Sequence, residues 1–276
     1  MKIQTFLILT IINLISTSTG DISHFDEYPE LQKIILKYSS EYESKFTKIF
    51  KDGPIYSGDG TAYGDSKNGG NCLFPKEEYY ADMMYAALNH DQYFDDMGCG
   101  LCALVVSTSH PYKPVRIRVL DQCPECEQGS LDFSDIALKA LTNMDPARVK
   151  ITWALIPCDI EVPNYPALIE KDSEIKFQFK QGSTQFWFQV QVFNTVYPVS
   201  AVEMEIDGEF VALQREHYNY WERPEENGKD AGQGPYNFRV TLADSTVILC
   251  EGVEMVVPAD DEDDDFSSGK QSIVQK

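Results

Sequence analysis

Two aspartates draw attention by their setting. Asp121 follows an apolar, alternating run that ends at Leu120, and Asp132 follows soon after. Between them lie Gln122-Cys123-Pro124-Glu125-Cys126 and Gly129-Ser130-Leu131. Two carboxylates held by a stiff loop are what glycoside chemistry uses, one as acid and one as base or nucleophile. A plainer reading is equally open: Asp132 caps a turn and Asp121 makes a loop hydrogen bond.

A second group suits sugar binding. Phe186 and Trp187 lie in an alternating run, with Lys180 before them and Tyr218 and Trp221 after. Aromatic faces supply rigid apolar area to stack on sugar rings. Strict alternation puts Phe186, Phe188 and Val190 on one face and Trp187, Gln189 and Gln191 on the other. The glutamines mark the second face as the solvent face, which favours Trp187 as the outward ring. A bulge would release both. Trp221 fits a core position as well as a platform.

The chain has 7 cysteines: Cys72, Cys99, Cys102, Cys123, Cys126, Cys158 and Cys250. Residues 1–20 read as a secretory signal peptide, with Lys2, an apolar run from Thr5 to Ile15, and a small-residue exit. That run is too short to span a bilayer. Export implies an oxidising compartment, where the six clustered cysteines would form three bridges of undetermined pairing. Cys99-Gly-Leu-Cys102 and Cys123-Pro-Glu-Cys126 could also be halves of a zinc site or a redox pair. Cys250 stands apart as a buried free thiol or an intermolecular bridge.

Composition excludes other classes. Lys+Arg number 23 against 44 Asp+Glu, a net charge of -21. Such a surface repels nucleic acid and acidic lipid. No nucleotide loop, nucleophile elbow or histidine-rich set is present, so no cofactor and no metal are expected. His24, His90, His110 and His217 are scattered, and no Asn-x-Ser/Thr sequon occurs.

Periodicity divides the chain. Within 21–50, Leu31, Ile34, Ile35, Tyr38, Tyr42 and Phe46 fall at helical spacing after Pro29, giving a helical extension. Residues 51–160 hold short apolar runs between turn signals, the pattern of a closed β-barrel. Ala103–Val106, Val115–Leu120 and Lys150–Ile156 read as strands, with helices capped by Asn89 and Ser134. A Pro-containing linker, 161–166, leads to 167–258, whose alternation and Asp207-Gly208 turn fit a β-sandwich. The tail, 259–276, is acidic over Asp260–Asp265 and is expected to be disordered.

An ordered set of motifs resembles the expansins. It comprises Gly58-Asp-Gly-Thr-Ala-Tyr63, Cys99-Gly-Leu-Cys102, Leu120-Asp-Gln-Cys-Pro124, Leu131-Asp-Phe-Ser134 and Ile151-Thr-Trp153. It continues through Lys180-Gln-Gly-Ser-Thr-Gln-Phe-Trp187 and Tyr197-Pro-Val199 to His217-Tyr-Asn219. The resemblance spans roughly 55–258. It implies a mainly β protein: a six-stranded double-psi β-barrel followed by an immunoglobulin-like β-sandwich that binds cellulose.

The resemblance also implies roles. Thr61, Tyr63, Asp121 and Asp132 would line the barrel cleft, with Asp132 the essential acid. Phe186, Trp187 and Tyr218, with Lys180, would form the sugar platform. The bridges would be Cys72–Cys99, Cys102–Cys158 and Cys123–Cys126, leaving Cys250 free. Expansins loosen walls without net hydrolysis. The alternative is an inverting endoglucanase with Asp132 as general acid and a base drawn from Asp121 or the loop Asp91–Asp96. This sequence departs from the family in three places. Cys123 replaces a cleft aromatic of bacterial members, Phe186 replaces a tryptophan, and the plant histidine near Leu131-Asp132 is absent. The expected partner is cellulose or a related neutral β-glucan, met as an extracellular monomer, with neither nucleic acid nor membrane.

Overall fold

A computed structural model of the chain describes residues 21–45, 54–64, 70–75, 83–93, 97–145, 148–170, 172–223, 232, 234–259 and 265–275. The leader at 1–20, Phe46, Asp95, Asp96 and residues 260–264 lie outside them.

Six strands close the first barrel. They are β1 (Ile55–Ala62), β2 (Tyr85–Asn89), β3 (Cys102–Ser107), β4 (Val115–Cys123), β5 (Leu131–Phe133) and β6 (Val149–Ile156). Their order is β1-β5-β2-β4-β3-β6. β1 pairs with β5, and β2 with β4, in parallel. Closure removes every free edge from this sheet. Val115, Ile117 and Val119 fill the interior beside Leu88, Leu131 and Phe133, all essentially without exposure. The Trp153 ring lies tilted against Tyr56 at 4.6 Å and donates its indole N–H to the Gly129 carbonyl at 2.8 Å.

The opposite face of β4 is not the solvent face its charges suggest. Arg116 and Arg118 are both buried. The Arg116 guanidinium lies 5.5 Å from the Tyr165 ring centre and that of Arg118 lies 5.0 Å from Phe74. Planar cations lie readily on aromatic faces.

Helix α1 (Pro29–Lys45) realises the expected amphipathic extension. Leu31 and Ile35 are buried with Ile55, Leu104, Ala154 and Ile156 on the outside of the barrel. The Cys102–Cys158 bridge sits in the same cluster and ties β3 to the chain just beyond β6. Cys72–Cys99 and Cys123–Cys126 complete the bridges, and Cys250 is a buried thiol. Burial among apolar neighbours, with the Glu174 charge nearby, pushes that thiol up to about 12.

The second unit packs two sheets face to face. Its strands are β7 (Lys176–Phe179), β8 (Gln189–Phe193), β9 (Val199–Ile206), β10 (Glu209–Ala212), β11 (Gln214–Arg215), β12 (Trp221–Glu222), β13 (Tyr236–Leu242), β14 (Val247–Val253) and β15 (Lys270–Gln275). One sheet runs β10-β9-β13-β14-β15 and the other β11-β12-β8-β7. Phe177, Phe179, Phe188 and Phe238 interlock between them. The Asp207-Gly208 turn joins β9 to β10, with both residues at positive φ. Trp221 is a core residue at 4% exposure.

Two expectations need correction. The tail was expected to be disordered, yet β15 pairs with β14 from Val247 to Glu251, and Ser267 bridges to Phe177. The pairing comes from the open edge of β14, which no pattern within the tail itself announces. The run from Phe186 was expected to be strand throughout, but β8 begins at Gln189 and Phe186 and Trp187 lie in a bend before it. Gln189 and Gln191 are buried at 4% and 0%, not solvent-facing. Gln191 instead donates to the Cys72 carbonyl of the barrel at 2.8 Å.

Candidate functional site: a carboxylate cleft and an aromatic patch

The cleft is a single row across four strands. Thr61 opposes Asp132, Asp132 opposes Ala87, and Ala87 opposes Asp121. Directly opposed residues project to the same side of a sheet. In β5, Leu131 and Phe133 turn to the core, so Asp132 between them turns away from it. Asp121 needs a further device. It shares parity with Val119, a core residue, and regular alternation would send it inward. The register shifts between Ala86 and Ala87, so that Val119 opposes Ala86 but Asp121 opposes Ala87. That bulge absorbs Leu120 and re-aims Asp121 to the cleft. Two strand spacings put the Asp121 and Asp132 Cα atoms roughly 9–10 Å apart. Ala87, the floor between them, has no side chain long enough to fill the gap.

Each acid has fixed partners. Thr61 Oγ1 donates to Asp132 Oδ1 at 2.5 Å. Burial raises the Asp132 carboxyl above the ordinary aspartate range; the Thr61 hydrogen bond opposes this, and the charges of Glu125 and Asp121 add to it. Asp121 Oδ1 accepts the backbone N–H of Asn71 at 2.7 Å and of Gln122 at 2.9 Å. Tyr63 also hydrogen-bonds Asp121, and its ring lies edge-on to Tyr85 at 6.4 Å. Burial first, and then the Asp121 charge, hold the Tyr63 phenol far above its ordinary range, so it stays a donor. Asp121 Oδ1 is thus committed to two backbone donors, whereas the Asp132 carboxyl is raised above its ordinary range by burial.

The loop between the acids is fixed from below. Gln92 Oε1 accepts from Asn89 Nδ2 at 2.6 Å and from the Gly129 N–H at 2.9 Å. Asn89 also donates to the Ser130 carbonyl at 3.2 Å, and Ser130 Oγ accepts the Asp59 N–H at 3.1 Å. Gly129 sits at φ +83, and a Cβ there would fall 2.2 Å from the Ser57 carbonyl oxygen. Only glycine lets β1 and this loop approach so closely.

The second patch lies on the sandwich. Lys180 Nζ stands 4.3 Å over the Tyr218 ring and donates to Gln189 Oε1 at 3.0 Å. The Tyr218 hydroxyl donates to the same oxygen at 2.9 Å. Phe186 is 71% exposed, while Trp187 is half-buried. In this bend the strand rule no longer chooses between them, and Phe186 is the more open ring. Among the described residues no ring contact joins either to Tyr218. So Thr61, Tyr63, Asp121 and Asp132 come together, and Lys180 and Tyr218 come together, whereas Phe186 and Trp187 stand on a separate bend. Asp91 lies on a short helix (His90–Tyr93); Asp95 and Asp96 of that proposed second base lie outside the described residues. Among the described residues no cluster of three or more His, Cys, Asp or Glu could hold a metal ion.

Sequence reasoning gave no role to Glu125, whose charge acts on Asp132 more than that of Asp121 does. Its place between the two bridged cysteines of the cleft loop was the available signal.

No protein-family model matches the chain. Expansin YoaJ of Bacillus subtilis is 26% identical over 168 residues, 60% of this chain and 67% of that protein. Expansin-like protein 1 of Dictyostelium discoideum is 24% identical over 180 residues, 62% of this chain but 59% of its own length. The crystal structure of the apo expansin of Clavibacter michiganensis superposes with a TM-score of 0.61 at 25% identity, covering 78% of this chain and 95% of that one. The chain is expansin-like in sequence and in fold. An aspartate-to-asparagine mutant of the same Clavibacter expansin, crystallised with cellohexaose, superposes with a TM-score of 0.64 at 24% identity. The expansin-like fold thus extends over barrel and sandwich alike, while the matched segment leaves out about a third of the Bacillus protein and about two fifths of the Dictyostelium one.

Proposed function

We propose that this chain is a secreted, monomeric expansin-like protein that binds cellulose or a related neutral β-glucan and loosens a polysaccharide wall without net hydrolysis. Asp132, Thr61, Tyr63 and Asp121 form the cleft; Phe186, Trp187, Tyr218 and Lys180 hold the chain on the sandwich. The observation that carries the reading is the state of Asp121. An inverting hydrolase needs a second carboxylate, roughly 6.5–9.5 Å from the acid, free to activate water. Asp121 is the other acid of the cleft row, and its carboxylate already accepts two backbone N–H groups and a phenol. Asp132 can give and take hydrogen bonds with a glucan, or protonate a glycosidic oxygen, but the Asp121 carboxylate, occupied by these donors, is poorly placed to activate water as its pair. The cellohexaose complex of the Clavibacter relative supports the choice of a β-glucan.

A hydrolytic reading keeps one specific observation in its favour: the raised Asp132 carboxyl, with Glu125 as a nearby second carboxylate. Incubation with cellulose and mixed-linkage glucan beside a wall-extension assay decides between them. Wild type should extend walls and release no soluble sugar, and Asp132→Asn should lose extension at least about tenfold, as loss of a key cleft hydrogen bond implies. Sustained release of reducing ends by wild type, lost in Asp132→Asn or in Glu125→Gln, would make the chain a hydrolase.

A further inference from the structure

One turn joins the two patches. Gly70, Asn71 and Cys72 form a single 3₁₀ turn where the barrel meets the sandwich. Towards the barrel, the Asn71 backbone N–H donates to Asp121 Oδ1 at 2.7 Å. Towards the sandwich, Asn71 Nδ2 donates to the His217 carbonyl at 2.9 Å, and its second hydrogen goes to the Tyr93 hydroxyl at 2.9 Å. The Cys72 carbonyl accepts from Gln191 Nε2 at 2.8 Å and from Asn219 Nδ2 at 3.2 Å. Gln191 and Asn219 are 0% and 3% exposed, so these bonds are shielded from competing water. His217 and Asn219 are the two neighbours of Tyr218. The turn itself is anchored by the Cys72–Cys99 bridge. Asn71 therefore touches the cleft acid with its backbone and the turn that presents Tyr218 with its side chain.

Domains joined by a short linker and a polar contact move relative to one another unless something fixes them. Two weak sites act as one strong site only when their spacing allows simultaneous engagement. We propose that Asn71 is a positioning residue: its amide fixes the spacing between the barrel cleft and the Tyr218 turn, so that one glucan chain engages both. This rests on the glucan-binding reading above and adds to it the coupling of its two halves.

The test compares a short ligand with a long one. Cellotriose and neutral hydroxyethylcellulose are titrated calorimetrically into wild type, Asn71→Ala and Asn71→Asp. The aspartate variant keeps the shape and the backbone N–H but has no Nδ2 donor. Wild type should bind the polymer at least about tenfold tighter than the trisaccharide, the gain expected of linked sites. Both variants should keep their cellotriose affinity and lose most of the polymer advantage. A merely structural role would instead weaken both ligands together and lower the melting temperature, and that result overturns the proposal. An unchanged polymer advantage in both variants also overturns it while leaving glucan binding intact. Failure of wild type to bind either ligand would sink the glucan reading and this one with it.

Discussion

Asp132 is pulled in opposite directions, and the balance is measurable. Burial disfavours its charged form, and Thr61 favours it. A carboxyl raised in the folded state is less willing to ionise there than in the unfolded chain. Below the unfolded value, near 3.8, both states are protonated and no penalty exists. As pH rises through the folded value the penalty develops, and above it the penalty is complete. Asp132→Asn removes the charge and keeps an acceptor for Thr61. Its melting temperature relative to wild type should therefore rise between acid and neutral pH, read by thermal denaturation at a series of pH values. A gap that is flat with pH would mean that the cleft does not disfavour the carboxylate. Asp59 sets the opposite sign. Lys150 and Arg148 lower it, so the stability it contributes is present above its unfolded value and lost as pH falls through the folded one. Measuring the difference between Asp132→Asn and wild type cancels that background.

At the level of elements, the cleft depends on backbone that only certain residues allow. Gly70 adopts φ +62, and a Cβ there would lie 2.5 Å from the Leu120 carbonyl oxygen and 2.6 Å from Asp121 Cβ. Neither neighbour is the loose end of a side chain. Gly70→Ala should cost about 2 kcal/mol or more from strain and displacement of β4. Gly64, at φ +89 with nothing near its Cβ position, is the control. Gly64→Ala should cost about 1 kcal/mol, the backbone strain alone. Urea denaturation of the two variants measures the difference, and equal losses would show that the close approach at Gly70 does not matter. The same scale explains what could be read in advance. Strands β4 and β6, the Asn89 and Ser134 caps and the Asp207-Gly208 turn follow from local pattern, and the structure has them. The three bridges and the cleft quartet come through the family resemblance; the structure has the bridges and brings the four residues together. The bulge that turns Asp121 outward could not be read, because Val119-Leu120-Asp121 fits an ordinary alternation. Nor could the burial of Gln189 and Gln191, since a glutamine covered by Lys180 and Tyr218, or one facing the barrel, looks in sequence like one facing water.

The molecule as a whole is held at its far end by residues that composition marks for disorder. β15 extends the five-stranded sheet along β14, and Gln271 pairs with the Ile175 backbone of the other sheet through bonds of 3.0 and 2.8 Å. Ser267 and Phe177 exchange backbone hydrogen bonds of 2.8 and 2.9 Å. The tail therefore clips the two sheets together along one edge, although Ile273 and Val274 remain exposed at 60% and 54%. Net hydrogen bonds contribute roughly 0.5–1.5 kcal/mol each, offset by the entropy of ordering the strand. Ending the chain at Ala259 should leave a net loss of about 2 kcal/mol, or roughly 4–8 °C in melting temperature for a protein of this size. Cellulose sedimentation at low temperature should be unchanged, because among the described residues Tyr218, Lys180 and the Phe186 bend have no bond to the tail strand. A truncated chain that melts with the full one would return the tail to the disordered class that its acidic run suggests. A truncated chain that melts normally yet fails to sediment would place the tail in glucan binding instead.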